Sequence, residues 1–292
     1  MLKPCSPVTE LDQVLIRQRF NRVAAQYDTF AQVQQEIGQR LLERLELISL
    51  QPQQVLDLGC GTGCLLKDLF SRYKKAHIMG IDRAEHMLQQ ARYKVGHKGR
   101  WWRKPQWLTA DAMHLPLQAN SVDMILSNLM LHWCEDVSAV FAEVVRVLRP
   151  QGLFLFTTLG ADTLKELRQS WQQVDQQAHV HTFMDMHDIG DALLAAGFRD
   201  PVMDMEMISL TYRELQGLWR DLKQTGAQNA LHARQRGLMG KQRWQAMCQA
   251  YADLRWPEGE YPVTLEVVYG HAWAPSMVTE GKPERYIPLR PA

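Results

Sequence analysis

The sequence predicts an α/β fold, a mostly parallel sheet with helices on both faces. Three observations carry this. Apolar runs of strand length alternate with helical patterns between residues 53 and 158, the signature of repeated strand–helix–strand units. The first run, Gln54–Leu58, passes directly into a turn holding Gly59, Gly61 and Gly63 and then into a helical stretch. Asp57, Asp82, Asp111 and Asn128 stand at the ends of successive runs, and ligands of open parallel sheets bind at the carboxyl ends of the strands.

Residues 1–10 are expected to be loose. From Asp12 to about Leu47, Val14, Leu15, Phe20, Val23 and Ala24, then Ile37, Leu41, Leu42 and Leu45, recur at steps of three and four, which is a helical pattern. Strands are expected near 53–58, 77–82, 106–110, 122–127 and 152–158, with helices near 62–73, 84–95 and 137–148. Glycines in the first turn permit positive φ or close approach of a ligand. The helix start behind them offers free N–H groups. Pro150-Gln151-Gly152 ends the helix 137–148. The stretch 91–104 is basic and carries Trp101 and Trp102. It follows a helix that returns to the amino edge of the sheet, so it reads as a solvated loop opposite the ligand edge.

After residue 158 the alternation breaks. DTLKELRQSWQQVDQQA is helical within 160–182, MHDIGDALLAAGF is a further helix with Gly197 near its end, and 212–255 is mostly helical. VMDMEMISLTY and TLEVVYGHAWAP add two strands and bring the sheet to seven. The stretches 160–182 and 212–255 read as inserts that begin at carboxyl strand ends and can cover a site there. The tail 276–292 holds three prolines and is expected to be mobile.

A net charge of +1 over 292 residues leaves no overall field for nucleic acid. No apolar run approaches the roughly 18 residues that cross a membrane. The start MLKPCSPVTELD carries no signal-peptide core. The five cysteines form no C-x-x-C pair, so no metal site is expected, and Cys60 and Cys64 read as packing residues. A reduced, cytoplasmic monomer is the expectation.

A second acidic position narrows the ligand. Asp82 stands 19 residues beyond Gly63, where a nucleotide-type fold sets a carboxylate against ribose hydroxyls. That spacing suits NAD and S-adenosylmethionine alike. Two details favour the second. Asp57 stands before the first glycine, where an amino-acid ammonium needs a counter-charge and a pyrophosphate would be repelled. Asp111 follows the third strand, where an adenine amine can be met. In order, VLDLGCGTG, GIDRAEHML, ADAMHLPL, SVDMILSNLMLHW and VLRPQGLFLFTT resemble the successive motifs of class I, Rossmann-like S-adenosylmethionine-dependent methyltransferases over roughly residues 53–158.

That resemblance implies S-adenosylmethionine as cofactor, held by Asp57, Gly59, Gly61, Gly63, Asp82, Arg83, Asp111, Ala112, Asn128 and Leu129. It also implies a lid. FNRVAAQYD resembles the segment that covers the cofactor in this class, with Tyr27 near the methyl group; Tyr27 as a packed aromatic at a helix end is the alternative. The division expected is a helical lid over 1–47, the methyltransferase domain with its two inserts over 48–275, and the tail.

Longer matches are more specific. RFNRVAAQYD, FTTLGADTLKELR, HTFMDMHDIGDALLAAGF, LTYRELQGLWRDLKQTGAQN and TLEVVYGHAWAP resemble the malonyl-acyl-carrier-protein O-methyltransferases of biotin synthesis. They also resemble a methyltransferase-like assembly factor of respiratory complex I, implicated in arginine hydroxylation. The absence of a targeting segment favours the first family, with a quinone-ring methyltransferase as a third reading. The first implies methylation of the free carboxyl of malonyl-acyl-carrier protein. A carboxylate is already ionised at neutral pH and needs only desolvation and aim. Tyr27, His132 and Arg168 are the expected donors around it. His132 can orient the acceptor or act as a base, or it can be a capping or core histidine. Arg168 is chosen over Arg146 and Arg149 because it lies in an insert. An acidic carrier is expected to dock on some of Arg213, Arg220, Lys223, Arg234, Arg236, Lys241 and Arg243.

Overall fold

A computed structural model describes residues 10–95, 105–237 and 239–276. The expected loose start at 1–9, most of the basic 91–104 stretch and nearly all of the 276–292 tail lie outside the described residues. Among the described residues, no helix is long and apolar enough to cross a membrane. None of their His, Cys, Asp and Glu side chains group into a metal site.

The seven strands are β1 (Gln54–Leu58), β2 (His77–Asp82), β3 (Gln106–Thr109), β4 (Val122–Asn128), β5 (Leu148–Leu159), β6 (Arg199–Tyr212) and β7 (Tyr261–Trp273), in the order β3-β2-β1-β4-β5-β7-β6. The first five run parallel, and β7 is antiparallel to both of its neighbours. Chain order reverses between β1 and β4, and a crevice opens at such a switch point. The helices are α1 (Gln13–Val23), α2 (Tyr27–Phe30), α3 (Gln32–Arg44), α4 (Leu66–Arg72), α5 (Glu85–Val95), α6 (Val137–Val147), α7 (Lys165–Gln172), α8 (Met186–Ala195), α9 (Leu215–Gln224) and α10 (Lys241–Ala252).

Two apolar layers sandwich the sheet. On one face Val140, Phe141, Val144 and Val147 of α6, with Ile189 and Leu193 of α8, meet Leu56, Ile125, Phe154 and Phe156. On the other, Leu66 and Leu69 of α4 meet Val55, Met124 and Leu153 together with Ile37, Leu41 and Leu42 of α3. So α3 belongs to the core layer. The expected lid over 1–47 thus includes a helix, α3, whose inner stripe packs against the sheet.

Gly270 of β7 sits opposite Phe156, and a Cβ there would lie 2.3 Å from the ring. Gly270→Ala is expected to cost roughly 1–3 kcal/mol by overpacking. Urea denaturation checks this; an unchanged midpoint would show that the Phe156 ring can move aside.

The sheet is taller on one side. Leu159, the last residue of β5, pairs with Val267, whereas residues 261–266 of β7 continue beyond it, paired with 207–212 of β6. This two-stranded extension rises past the carboxyl edge and carries the inserts. Buried Glu166 of α7 accepts the backbone N–H of Thr264 at 3.0 Å and bonds the Thr264 hydroxyl. Buried Glu266 accepts the N–H of Asp162 at 2.7 Å. Both inserts are less helical than expected: α7 ends at Gln172, and residues 225–237 between α9 and α10 are turns and bends.

Candidate active site

The glycine turn is built as its sequence requires. Gly59, Gly61 and Gly63 have φ of +77°, +53° and +76°, a region that favours residues without a Cβ. A Cβ at Gly59 would strike Met130 at 2.4 Å, whereas one at Gly61 would meet nothing within 4 Å. Gly61 therefore opens onto the cavity behind the turn. Asp82, at the end of β2, holds the turn: its carboxylate accepts the N–H of Gly61 at 2.9 Å and of Ala84 at 2.7 Å. Burial raises its pKa despite these bonds.

Asp57 carries the strongest ligand signal. It is buried, and its Oδ2 has no hydrogen-bond partner among the described residues. Desolvation, then the nearby Asp82 charge, pushes its pKa up to about 7. An orphaned buried carboxylate oxygen is costly unless something cationic completes it.

These residues line one cavity of about 890 Å³ together with Arg83, Asp111, Ala112, Asn128, Leu129, Tyr27 and His132. That volume lies toward the upper end of the ~300–1,000 Å³ usual for ligand sites. Gly63 instead faces inward, where a Cβ would meet Leu66 and Ala91. Arg83 bonds Gln13 of α1 at 2.6 Å and lies 3.5 Å from the Asp111 carboxylate. Asn128 is tied at both ends of its amide, donating to the Gln34 carbonyl at 3.0 Å and accepting from the Thr157 hydroxyl at 2.7 Å. Leu129 takes φ of +54° and donates its N–H to the Thr157 side-chain and main-chain oxygens. Asn128 and Leu129 thus shape the cavity wall, with the amide of Asn128 already engaged.

Above the turn lie α1 and α2. Asp28 of α2 bonds both the Thr62 hydroxyl and Lys94, clamping α2 to the glycine turn. Rings join Tyr27 to His132 across the cavity: Tyr27 to Phe20 at 6.4 Å, Phe20 to Trp133 at 5.5 Å, Trp133 to His132 at 5.2 Å. The Tyr27 hydroxyl makes no hydrogen bond with the described residues, and desolvation raises its pKa. His132 packs between Trp133 and Phe183. Desolvation, reinforced by His181, lowers its pKa to about 3, so it is neutral at physiological pH.

Arg168 corrects the sequence reading. It does not line the cavity; its guanidinium donates to the Ala161 and Thr163 carbonyls at 3.1 and 3.0 Å. Leu164, Leu167 and Trp171 line the cavity, while the Arg168 guanidinium turns back to the carbonyls of the preceding turn. Arg146 and Arg149 are also spent elsewhere, on Glu143 and Asp123. The arginine that enters the cavity wall beside the aromatic cluster is Arg19. It donates to the Gln228 and Asn229 carbonyls at 2.7 and 2.8 Å.

Of the expected docking residues, Arg234 pairs with Asp12 and Arg243 with Asp175, while Arg213 precedes α9 and does not share its face. Sequence reasoning also missed Gln34, whose Oε1 is buried without a partner among the described residues and which lines the cavity. Its signal was a polar residue on the stripe Gln34, Ile37, Gly38, Leu41 of α3.

A buried cation acceptor, a glycine turn open to the cavity and acidic strand ends suit a ligand that joins an amino-acid ammonium to a nucleoside, as S-adenosylmethionine does. Known proteins agree. A methyltransferase-domain family model matches residues 56–156. Over 272 residues the chain is 47% identical to the malonyl-[acyl-carrier protein] O-methyltransferase of Gallionella capsiferriformans, covering 91% of this chain and 92% of that protein. It is 48% identical over 269 residues to the protein of the same name from Laribacter hongkongensis, covering 91% and 90%. Among solved structures, the YcgJ protein of Bacillus subtilis superposes with a TM-score of 0.59 at 18% identity, over 82% of this chain and 99% of that one, a likeness of fold alone. Kinship of this depth, nearly end to end, places the chain in the malonyl-acyl-carrier-protein O-methyltransferase family of S-adenosylmethionine-dependent enzymes.

Proposed function

We propose that this chain transfers a methyl group from S-adenosylmethionine to the free carboxyl of malonyl-acyl-carrier protein, giving the methyl ester that starts the pimeloyl part of biotin synthesis. The observation that carries this is the 47% identity spread over 91% of the chain, inserts included. When bound, the cofactor supplies an electrophilic methyl group whose bonding pair stays on sulfur as the carboxylate oxygen bonds to carbon.

The chain's own residues hold and aim. Asp57 Oδ2 and Gln34 Oε1, both buried acceptors without partners among the described residues, receive the cofactor's ammonium. Asp82 keeps lone pairs for the ribose hydroxyls beyond the two N–H bonds it already accepts, and Asp111 faces the adenine edge. No protein base is needed, because the acceptor is ionised at neutral pH. His132 fits that requirement: with its pKa near 3 it is a poor base for an amine or a phenol, but its neutral ring can donate one hydrogen bond. Tyr27 and Arg19 supply the other donors that replace the water stripped from the malonyl carboxylate. These donors must not hold the carboxylate too tightly, since its charge is lost along the reaction.

The direct test mixes the protein with methyl-labelled S-adenosylmethionine and either malonyl-carrier protein or the unmalonylated carrier. Base-labile label on the malonyl form alone is expected; equal label on both carriers refutes the reading. Tyr27→Phe should lower kcat about tenfold, the scale of one lost hydrogen bond, and change cofactor affinity less. A Tyr27→Phe protein with wild-type turnover removes Tyr27 from the acceptor pocket.

A further inference from the structure

The lining of the cavity extends well beyond the residues assigned above to the cofactor. The β6–β7 extension and the inserts form part of this wall. Leu210, Val263, Leu167 and Leu218 present an apolar surface there. Trp219 of α9 and Trp244 of α10 lean together with ring centroids 5.2 Å apart. Three groups that line the cavity lack partners among the described residues. The Trp219 Nε1–H is buried with no acceptor among the described residues. Arg17 of α1 and Arg236, which lies between α9 and α10, both line the cavity and are exposed, and neither guanidinium makes an ion pair or hydrogen bond with the described residues. A buried N–H without an acceptor is destabilising, and it marks where an outside acceptor is wanted.

We infer that the part of the cavity walled by the β6–β7 extension and the inserts is the channel for the pantetheine arm of the acyl thioester. The inference rests on the proposed malonyl-carrier activity. An arm of this kind is a narrow chain of methylenes and branched carbons, interrupted by amides and closed by a phosphodiester. Apolar walls suit the hydrocarbon parts, the orphaned Trp219 N–H suits an amide carbonyl, and the two unpaired guanidiniums suit the phosphodiester. Because this wall and the cofactor-facing residues line one cavity, an arm held here brings the thioester's acyl end toward Tyr27 and His132. The carrier's body then rests outside, against the rim that Arg17 and Arg236 help to form.

The test compares three acceptors: malonyl-carrier protein, malonyl-coenzyme A, and the S-ethyl thioester of malonate, which lacks both amides and the phosphodiester. Trp219→Phe keeps the apolar ring and deletes the N–H. It should raise KM for the carrier and coenzyme A thioesters about five- to tenfold more than for the ethyl thioester, the scale of one hydrogen bond. Arg17→Ala combined with Arg236→Ala should raise KM for the two phosphate-bearing acceptors by about tenfold at low salt, and the gap should shrink as salt rises. Equal losses on all three acceptors, or no loss on any, overturn the channel. If wild-type protein uses the ethyl thioester as efficiently as the carrier, the channel falls while the methyltransferase reading stands. If it methylates none of the three, both fall. Should Trp219→Phe fail to fold, the arginine pair decides the matter alone.

Discussion

Replacing Asp82 with alanine is expected to weaken S-adenosylmethionine binding roughly 10- to 150-fold, the range for losing hydrogen bonds to a charged group, about 1.5–3 kcal/mol. Two losses combine. The ribose hydroxyls lose their acceptor, and the N–H groups of Gly61 and Ala84 lose the carboxylate that fixes them. The second loss loosens the turn whose φ values open the cavity floor. Asp82→Asn separates the two, because its single amide oxygen can keep one of these bonds and its NH₂ cannot accept the other. Calorimetric titration of each folded variant is the measurement. An Asp82→Ala protein that is folded and binds with unchanged affinity would remove Asp82 from the cofactor site.

Cofactor affinity should also rise steeply with pH through neutrality, and Asp57 is the reason. In the free protein its pKa stands near 7 because burial, and then Asp82, disfavour the charged form. Binding an ammonium favours that charged form and pulls the pKa down. Below pH 7 the cofactor must first displace a proton, so affinity falls by about tenfold for each pH unit below the free-state pKa and levels off above it. Isothermal titrations at pH 6 and pH 8 should therefore differ by about tenfold, with proton release on binding at the lower pH. Asp57→Asn is nearly isosteric and should bind weakly at both pH values with that dependence removed. A wild-type affinity that is flat from pH 6 to 8 would show that Asp57 does not face the ammonium. The same group affects the free protein's stability. Its folded pKa is raised above the ordinary 3.8, so the stability it contributes at low pH is lost as pH rises from about 4 toward 7.

The sequence by itself determined the sheet, the glycine turn and the acidic edge. These are local: strand period, positive φ at three glycines and an acidic residue at the end of each of the first three strands are written within a few residues of one another. Its long motifs also determined the family, because the inserts as well as the core match. The tertiary structure decided which polar groups have partners, since pairing joins residues far apart in the chain. Arg168 looked available, but carbonyls five and seven residues before it occupy its guanidinium. Asn128 stands at a strand end as expected, yet α3 and β5 claim its amide. Gln34 and Trp219 look like ordinary helix residues, and only the packing around them leaves a buried acceptor and a buried donor unpaired. The extension of β6 and β7 past β5 was equally hidden. Strand length alone does not say how far a neighbour reaches, and that difference in reach gives the cavity the stretch of wall that carries Leu210 and Val263. An unpaired buried group is a property of its surroundings, and those are assembled only when the chain folds.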